Sequence, residues 1–77
     1  MNKARRNALM KLQDLIDTAK ESLEALLEEE EEARDNIPES MQSSERYERA
    51  DAACDAIQSA IDALEEAAEN VEEAYQQ

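Results

Sequence analysis

Two apolar ladders, one on each side of the only proline, constrain the fold of this chain more than any other feature. Residues recur in each ladder at alternating spacings of three and four, which averages 3.5 and keeps one helix face turned towards a partner helix. The first ladder consists of Leu9, Leu12, Ile16, Ala19, Leu23, Leu26, Glu30, Ala33 and Ile37. The second consists of Tyr47, Ala50, Cys54, Ile57, Ile61, Leu64, Ala68, Val71 and Tyr75. The pattern predicts an all-α protein.

The residues between the ladders predict a short connector. Pro38 disfavours the helical conformation at Ile37, and Ser43 or Ser44 can cap a second helix that has Glu45 in its first turn. We therefore expect one domain over residues 1–77, with helix one at about 3–35, a connector at about 36–43 and helix two at about 44–75. The connector should hold one helical turn that begins at Pro38. Two helices of equal length joined this way favour an antiparallel, coiled-coil-like hairpin.

A register follows if the numbers of facing residues add to 80. This pairing sets a large side chain against a small one in most layers, for instance Leu12 against Ala68, as close packing requires. It also brings the basic start of helix one beside the acidic end of helix two, where the opposite charges complement each other. The expected ion pairs join Arg5 and Arg6 to Glu72 and Glu73, and Lys11 to Glu69.

Apolar residues outside the ladders bear on the oligomeric state. Met10, Leu15 and Leu27 lie off the first ladder, where a lone hairpin cannot cover them but a four-helix bundle of two hairpins can. Alanines recur every seven residues beside the second ladder, at Ala53, Ala60, Ala67 and Ala74. They can simply allow close approach of the two helices. The net charge of −13 opposes association, but salt screens charges beyond about 8 Å. We favour a homodimer over a monomer.

Composition excludes several classes of function. With 21 acidic and 8 basic residues, the chain should bind neither nucleic acid directly nor an anionic membrane. It has no glycine for a phosphate-binding loop and no histidine for a di-iron site or for activation of Cys54. We interpret Cys54 as a small buried residue, and a single cysteine suits a reducing cytoplasm. No run is apolar enough for a membrane span or signal peptide. We expect a cytoplasmic, non-enzymatic protein without cofactor or metal.

The densest charge is the run of five glutamates from Glu28 to Glu32. It is typical of a solvated helix surface, or else it imitates a nucleic-acid backbone and engages a basic groove on another protein. The run wraps around the helix, so Glu30 falls on the ladder opposite Ala50. Either the hairpin splays there, or Glu30 extends towards solvent, or it pairs with Arg46 or Arg49. The candidate partner-binding residues are Glu28, Glu29, Glu31, Glu32, Glu39 and Glu45.

The connector has a more distinctive sequence than the helices. It reads Asp-Asn-Ile-Pro-Glu from Asp35, followed from Gln42 by Gln-Ser-Ser-Glu-Arg and then by Ala/Glu/Ile heptads. Over the connector and helix two this resembles small acidic helical-hairpin proteins of bacteriophages and other mobile genetic elements. The resemblance implies an accessory protein that acts by stoichiometric binding, including inhibition of host defence systems. It implies no particular site residues.

Two classes of function follow from these observations. The first is an acidic interaction module that binds a basic surface on a protein partner, for example to inhibit a host defence or nucleic-acid-binding protein. The second is a self-associating structural or assembly component without a basic partner, in which acidity only confers solubility. The residues alone do not identify the partner, or decide whether the glutamates, the connector or the alanines contact it.

Overall fold

The computed structural model describes all 77 residues, Met1–Gln77, and confirms the all-α hairpin. Helix α1 spans Lys3–Asp35 and helix α2 spans Glu45–Tyr75, with a single 3-10 turn at Glu39–Met41 between them. The two helices pack side by side along their length, which gives a rod with Cα extents of 59 × 14 × 12 Å. Only one interface between secondary-structure elements is therefore available to form a core.

Side chains and local sequence set the ends of both helices. The Asn2 side chain accepts a hydrogen bond from the backbone N–H of Arg5 at 2.7 Å, and the Ser44 hydroxyl accepts one from the N–H of Tyr47 at 3.4 Å. Both residues therefore satisfy an N–H group that the first turn of a helix leaves unpaired. Ser44, rather than Ser43, is the cap of α2.

The connector turns the chain around Ile37, which is one of the three buried residues. Its N–H donates to the carbonyl of Arg34, which ends α1, and the N–H of Met41 donates to the carbonyl of Pro38, which closes the 3-10 turn. Pro38 thus precedes this turn, whereas we expected it to be the first residue. Ile37 covers the end of the helix interface while Met41 remains exposed.

The face of α1 that packs on α2 differs from the predicted ladder. Leu9, Ile16, Leu23, Glu30 and Ile37 are covered as expected. The alternate positions, Leu12, Ala19, Leu26 and Ala33, are all exposed. The residues one position later are covered in their place: Gln13, Lys20, Leu27 and Arg34. Because successive residues are about 100° apart around a helix, exchanging every second position turns the packed face by about 50°.

Hydrogen bonds across the interface explain why polar residues take these positions. The Gln13 amide donates to the Ala68 carbonyl at 3.3 Å and accepts from the Tyr75 hydroxyl at 2.6 Å. The Arg34 guanidinium reaches Asp51 at 3.0 Å. The long aliphatic stem of Lys20 also allows it to lie at the interface while its ammonium remains near water. The ladder prediction for α1 was therefore wrong at every second position.

The axial register is close to the predicted one. Arg6 donates to the carbonyl of Tyr75, and Gln13 donates to that of Ala68; the residue numbers in each pair add to 81. The predicted ion pairs at this open end of the hairpin do not form. Instead the Arg6 guanidinium, 2.9 Å from the Tyr75 carbonyl, binds a group that the last turn of α2 leaves unpaired.

The resulting core is thin. Only Ile37, Cys54 and Ile61 are buried, and the other residues at the helix interface are partly exposed. The radius of gyration is 17.5 Å, compared with about 11.5 Å for a compact domain of this length. Most of the hairpin is therefore surface.

Candidate functional site

The packing of α1 on α2 divides the hairpin into two unlike faces. The Arg34–Asp51 ion pair, at 3.0 Å, connects the helices on one side. On the other side Ala33 and Arg46 line a common cleft. Residues seven apart lie on the same face of a helix in this packing. The ion pair and the cleft therefore show on which side of the hairpin the residues seven, fourteen or twenty-one positions away also lie.

The side with the ion pair is strongly acidic, and we call it the acidic face. Its residues on α1 are Asp14, Asp17, Glu21, Glu24, Glu28 and Glu31, and those on α2 are Asp51, Asp55, Asp62, Glu65, Glu69 and Glu72. Lys20 lies near Glu24 at 4.0 Å. The protein contains four ion pairs in all, which leave seventeen of its 21 acids without a basic partner within 4 Å.

Arg34 is the main positive charge on the acidic face. Hydrogen bonds to Asp35 and Asp51 raise the pKa of its guanidinium further above the ordinary range, against the opposing effect of desolvation. The Arg34 side chain is thus positively charged at any physiological pH. Its ion pair with Asp51 joins α1 to α2 close to the connector. Exposed ion pairs of this kind contribute little stability, but this one shows which sides of the two helices lie together.

The opposite side is the apolar face. On α1 it carries a row that we call the leucine stripe, formed by Leu12, Leu15, Ala19 and Leu26, with Ala8 and Ala33 beyond its ends. On α2 it carries the alanine stripe, formed by Ala53, Ala56, Ala60, Ala63, Ala67 and Ala74. The alanines at positions 53, 60, 67 and 74 are partly covered, so close approach of the helices accounts for part of their burial. All members of the leucine stripe are exposed.

The predicted glutamate cluster does not form one surface. Glu28 and Glu31 belong to the acidic face, whereas Glu29 and Glu32 lie on the side of α1 that borders the apolar face. Glu30 points into the cleft. In the connector region Glu39 is exposed in the 3-10 turn, and Glu45 is paired with Arg49.

The density of charge along the sequence did not reveal the acidic residues that α2 contributes to the acidic face. Asp51, Glu65 and Glu72 are not consecutive in sequence, yet they fall into one row with a spacing of seven and fourteen. The sequence signal was therefore a periodic one, namely acids that recur at the heptad interval on both helices.

A cleft of about 470 Å³ opens at the connector end of the apolar face. Its apolar walls are Ala33, Ile37 and Ala50, and its charged walls are Glu30, Glu45, Arg46 and Arg49. Glu30 forms no ion pair with either arginine, because Arg49 binds Glu45 and Arg46 has no carboxylate within 4 Å. The expected pairing of Glu30 with an arginine of α2 is therefore absent.

Cys54 lies in the helix interface and is buried, as the sequence predicted. Burial raises the pKa of its thiol; Arg34 opposes this effect, while Glu30, Glu31 and Asp51 add to it. The side chain is thus a neutral thiol at physiological pH rather than a reactive thiolate.

The raised pKa of Cys54 should make the protein less stable at alkaline pH. The unfolded thiol ionises near its ordinary pKa of about 8.5, whereas the folded thiol keeps its proton, so the free energy of unfolding falls as pH rises through and above this value. Urea unfolding between about pH 7.5 and pH 9.5 should show a steeper loss for the parent than for Cys54→Ala. Parallel pH profiles for the two proteins would contradict this assignment.

The fold and its two faces define a class of protein, an elongated helical hairpin with separate acidic and apolar surfaces. Comparison of the chain with protein-family models, with curated proteins and with solved structures found no match. Neither helix has an apolar stretch long enough to cross a membrane. No three or more side chains of the types that bind metals converge on a common point.

Proposed function

We propose that the hairpin is a non-enzymatic protein-interaction module that binds a basic surface of another protein through its acidic face. The observation that most supports this function is the continuity of that face, to which both helices contribute acids along their length. Like charges held this close repel one another and destabilise the isolated protein. A lysine- and arginine-rich partner surface would relieve that repulsion.

The connector sequence favours a more specific form of the same function. Its resemblance to acidic hairpin proteins of bacteriophages favours a cytoplasmic accessory protein that occupies the basic surface of a host defence or nucleic-acid-binding protein. An elongated array of carboxylates offers such a surface the negative charges that it would otherwise find on a nucleic-acid backbone. Stoichiometric binding would then inhibit the partner by competition, and no catalytic group on the hairpin would be needed.

Paired variants test where a basic partner binds. Replacing Glu28 and Glu31 with glutamine removes two charges from the connector end of the acidic face, and we expect it to weaken binding at least tenfold. The measurement is capture from a bacterial lysate on immobilised protein, followed by elution with increasing NaCl. A specific partner should be retained by the parent, should elute at moderate salt and should be lost by this variant.

Two further double variants serve as controls for charge alone. Glu66→Gln with Glu73→Gln removes the same charge from the outer side of α2, beside the acidic face rather than on it, and it should retain the partner. Glu65→Gln with Glu72→Gln alters the open end of the acidic face and reports whether the contact extends that far. If all three variants lose the same proteins equally, attraction is general and a specific site is contradicted. If no protein depends on any acid, the proposed function is wrong.

The exposed apolar face favours a second function, that of a self-associating structural component. The two functions are compatible, because the acidic and apolar faces lie on opposite sides of the hairpin.

A further inference from the structure

The leucine stripe contains three of the six large apolar side chains that the hairpin leaves exposed. Leu12, Leu15 and Leu26 are 50%, 65% and 53% exposed. Leu12 and Leu26 are two heptads apart with Ala19 midway between them, and Leu15 lies one helical turn after Leu12, as in residues that pack against a helix. Each faces the same side as the alanine stripe. Single exposed leucines are common on protein surfaces, but a continuous row of this kind is typical of an interaction site.

The two stripes have complementary shapes. The leucine stripe carries three leucines and one alanine, whereas the alanine stripe carries only alanines. A leucine stripe can therefore pack on the alanine stripe of a second copy with large residues against small ones. If the leucine stripes of the two copies packed on each other instead, the two alanine stripes would also face each other. The two α1 helices would then be farther apart than the two α2 helices. The complementary arrangement also places every helix antiparallel to both of its neighbours, as in many four-helix bundles.

Charges along the border of the apolar face fit the same arrangement. Arg5, Lys11 and Arg46 have no carboxylate within 4 Å in the hairpin. All three lie on or beside the apolar face. With the register of the hairpin repeated between copies, so that facing residue numbers again add to 81, Arg49 of the second copy would lie level with Glu32, which also borders this face.

The hairpin is large enough on this side for a standard interface. Its Cα extents of 59 by 14 Å give an outline of roughly 800 Å², which is of the same order as the area that one partner contributes to such an interface. The acidic faces would point outwards in such a dimer, which keeps most of the negative charge of the two copies apart.

We infer that two copies associate through their apolar faces into a four-helix bundle, with the leucine stripe of each α1 on the alanine stripe of the other copy's α2. The twofold axis runs parallel to the helices. This arrangement is independent of the proposed acidic-face function, since it uses the opposite side of the hairpin.

Sedimentation velocity of the full chain tests the association. The parent should have twice the 8.7 kDa mass of one chain at concentrations of about 10–100 µM. Leu12→Gln with Leu26→Gln should raise the dissociation constant at least tenfold. Met10→Gln alters a side chain of similar exposure (45%) away from the stripe and should leave the constant unchanged. Circular dichroism checks that each variant remains helical. A monomeric parent, or equal dissociation constants for the double variant and the parent, would overturn the inference.

Disulfide crosslinking tests the arrangement without disturbing the leucines. With Cys54 replaced by alanine, chains carrying Ala19→Cys are mixed with chains carrying Ala63→Cys and oxidised. The inferred bundle places α1 beside α2 of the other copy, so the mixed disulfide should form faster than either disulfide between identical chains. Rapid crosslinking of Ala19→Cys chains with one another would instead place α1 against α1 and overturn the arrangement.

Discussion

Replacing Ile61 with alanine should lower the free energy of unfolding by about 2–4 kcal/mol, the usual cost of truncating a buried aliphatic side chain. Ile61 is only 6% exposed and lies near the middle of α2, where it is one of just three buried residues. So thin a core has few other contacts to compensate, and small domains have total stabilities of only about 5–15 kcal/mol. Urea unfolding followed by circular dichroism, at one fixed protein concentration, gives the measurement.

A truncation outside the helix interface is the control for Ile61. Met10→Ala also shortens an apolar side chain, but at a position off the leucine stripe where 45% is already exposed. It should change the free energy of unfolding by less than about 0.5 kcal/mol. If Ile61→Ala costs no more than this control, the register that buries Ile61 is wrong.

The second helix could be predicted from the sequence more completely than the first. All members of its ladder are at least partly covered, with Cys54 and Ile61 buried. This success has a simple reason, since one periodic row dominates α2 and its neighbours at the interface are alanines. Helix limits were also predictable, because Pro38 and Ser44 act locally on the backbone.

The first helix carries two overlapping rows, which its sequence does not separate. Leu9, Ile16 and Leu23 belong to either row, and only the alternate positions decide between them. An apolar pattern selects Leu12 and Leu26, whereas the structure selects Gln13 and Arg34 because each finds a hydrogen-bonding partner on α2. In the inferred dimer the predicted row would point to the centre of the bundle, between α2 and the second copy.

The acidic face could be predicted only in part, for a related reason. The density of charge identified Glu28 and Glu31 from sequence. Their alignment with Asp51 depends on how α1 is rotated against α2, which is seen only in the structure, where Arg34 contacts Asp51. Because the predicted rotation was wrong by about 50°, no sequence argument that used it could have joined the acids of the two helices into one face.

Two adjacent leucines allow the observed rotation to be tested directly. Leu27 is partly buried at the helix interface, whereas Leu26 is 53% exposed on the leucine stripe. At concentrations low enough to keep the chain monomeric, Leu27→Ala should lower the free energy of unfolding by about 1–3 kcal/mol and Leu26→Ala by less than about 0.5 kcal/mol. The predicted ladder would give the opposite order, because it places Leu26 opposite Cys54 and Leu27 outside.

Varying the protein concentration distinguishes the role of Leu27 within the hairpin from the role of Leu26 in the inferred dimer. The cost of Leu27→Ala should appear at every concentration, since this side chain stabilises the hairpin itself. The cost of Leu26→Ala should grow as the parent dimerises, because association adds stability only to the protein that can associate. Urea midpoints measured over a hundredfold range of concentration would show both trends. A larger effect of Leu26→Ala in the monomer would restore the predicted ladder, and a concentration-independent effect of both variants would remove Leu26 from any dimer interface.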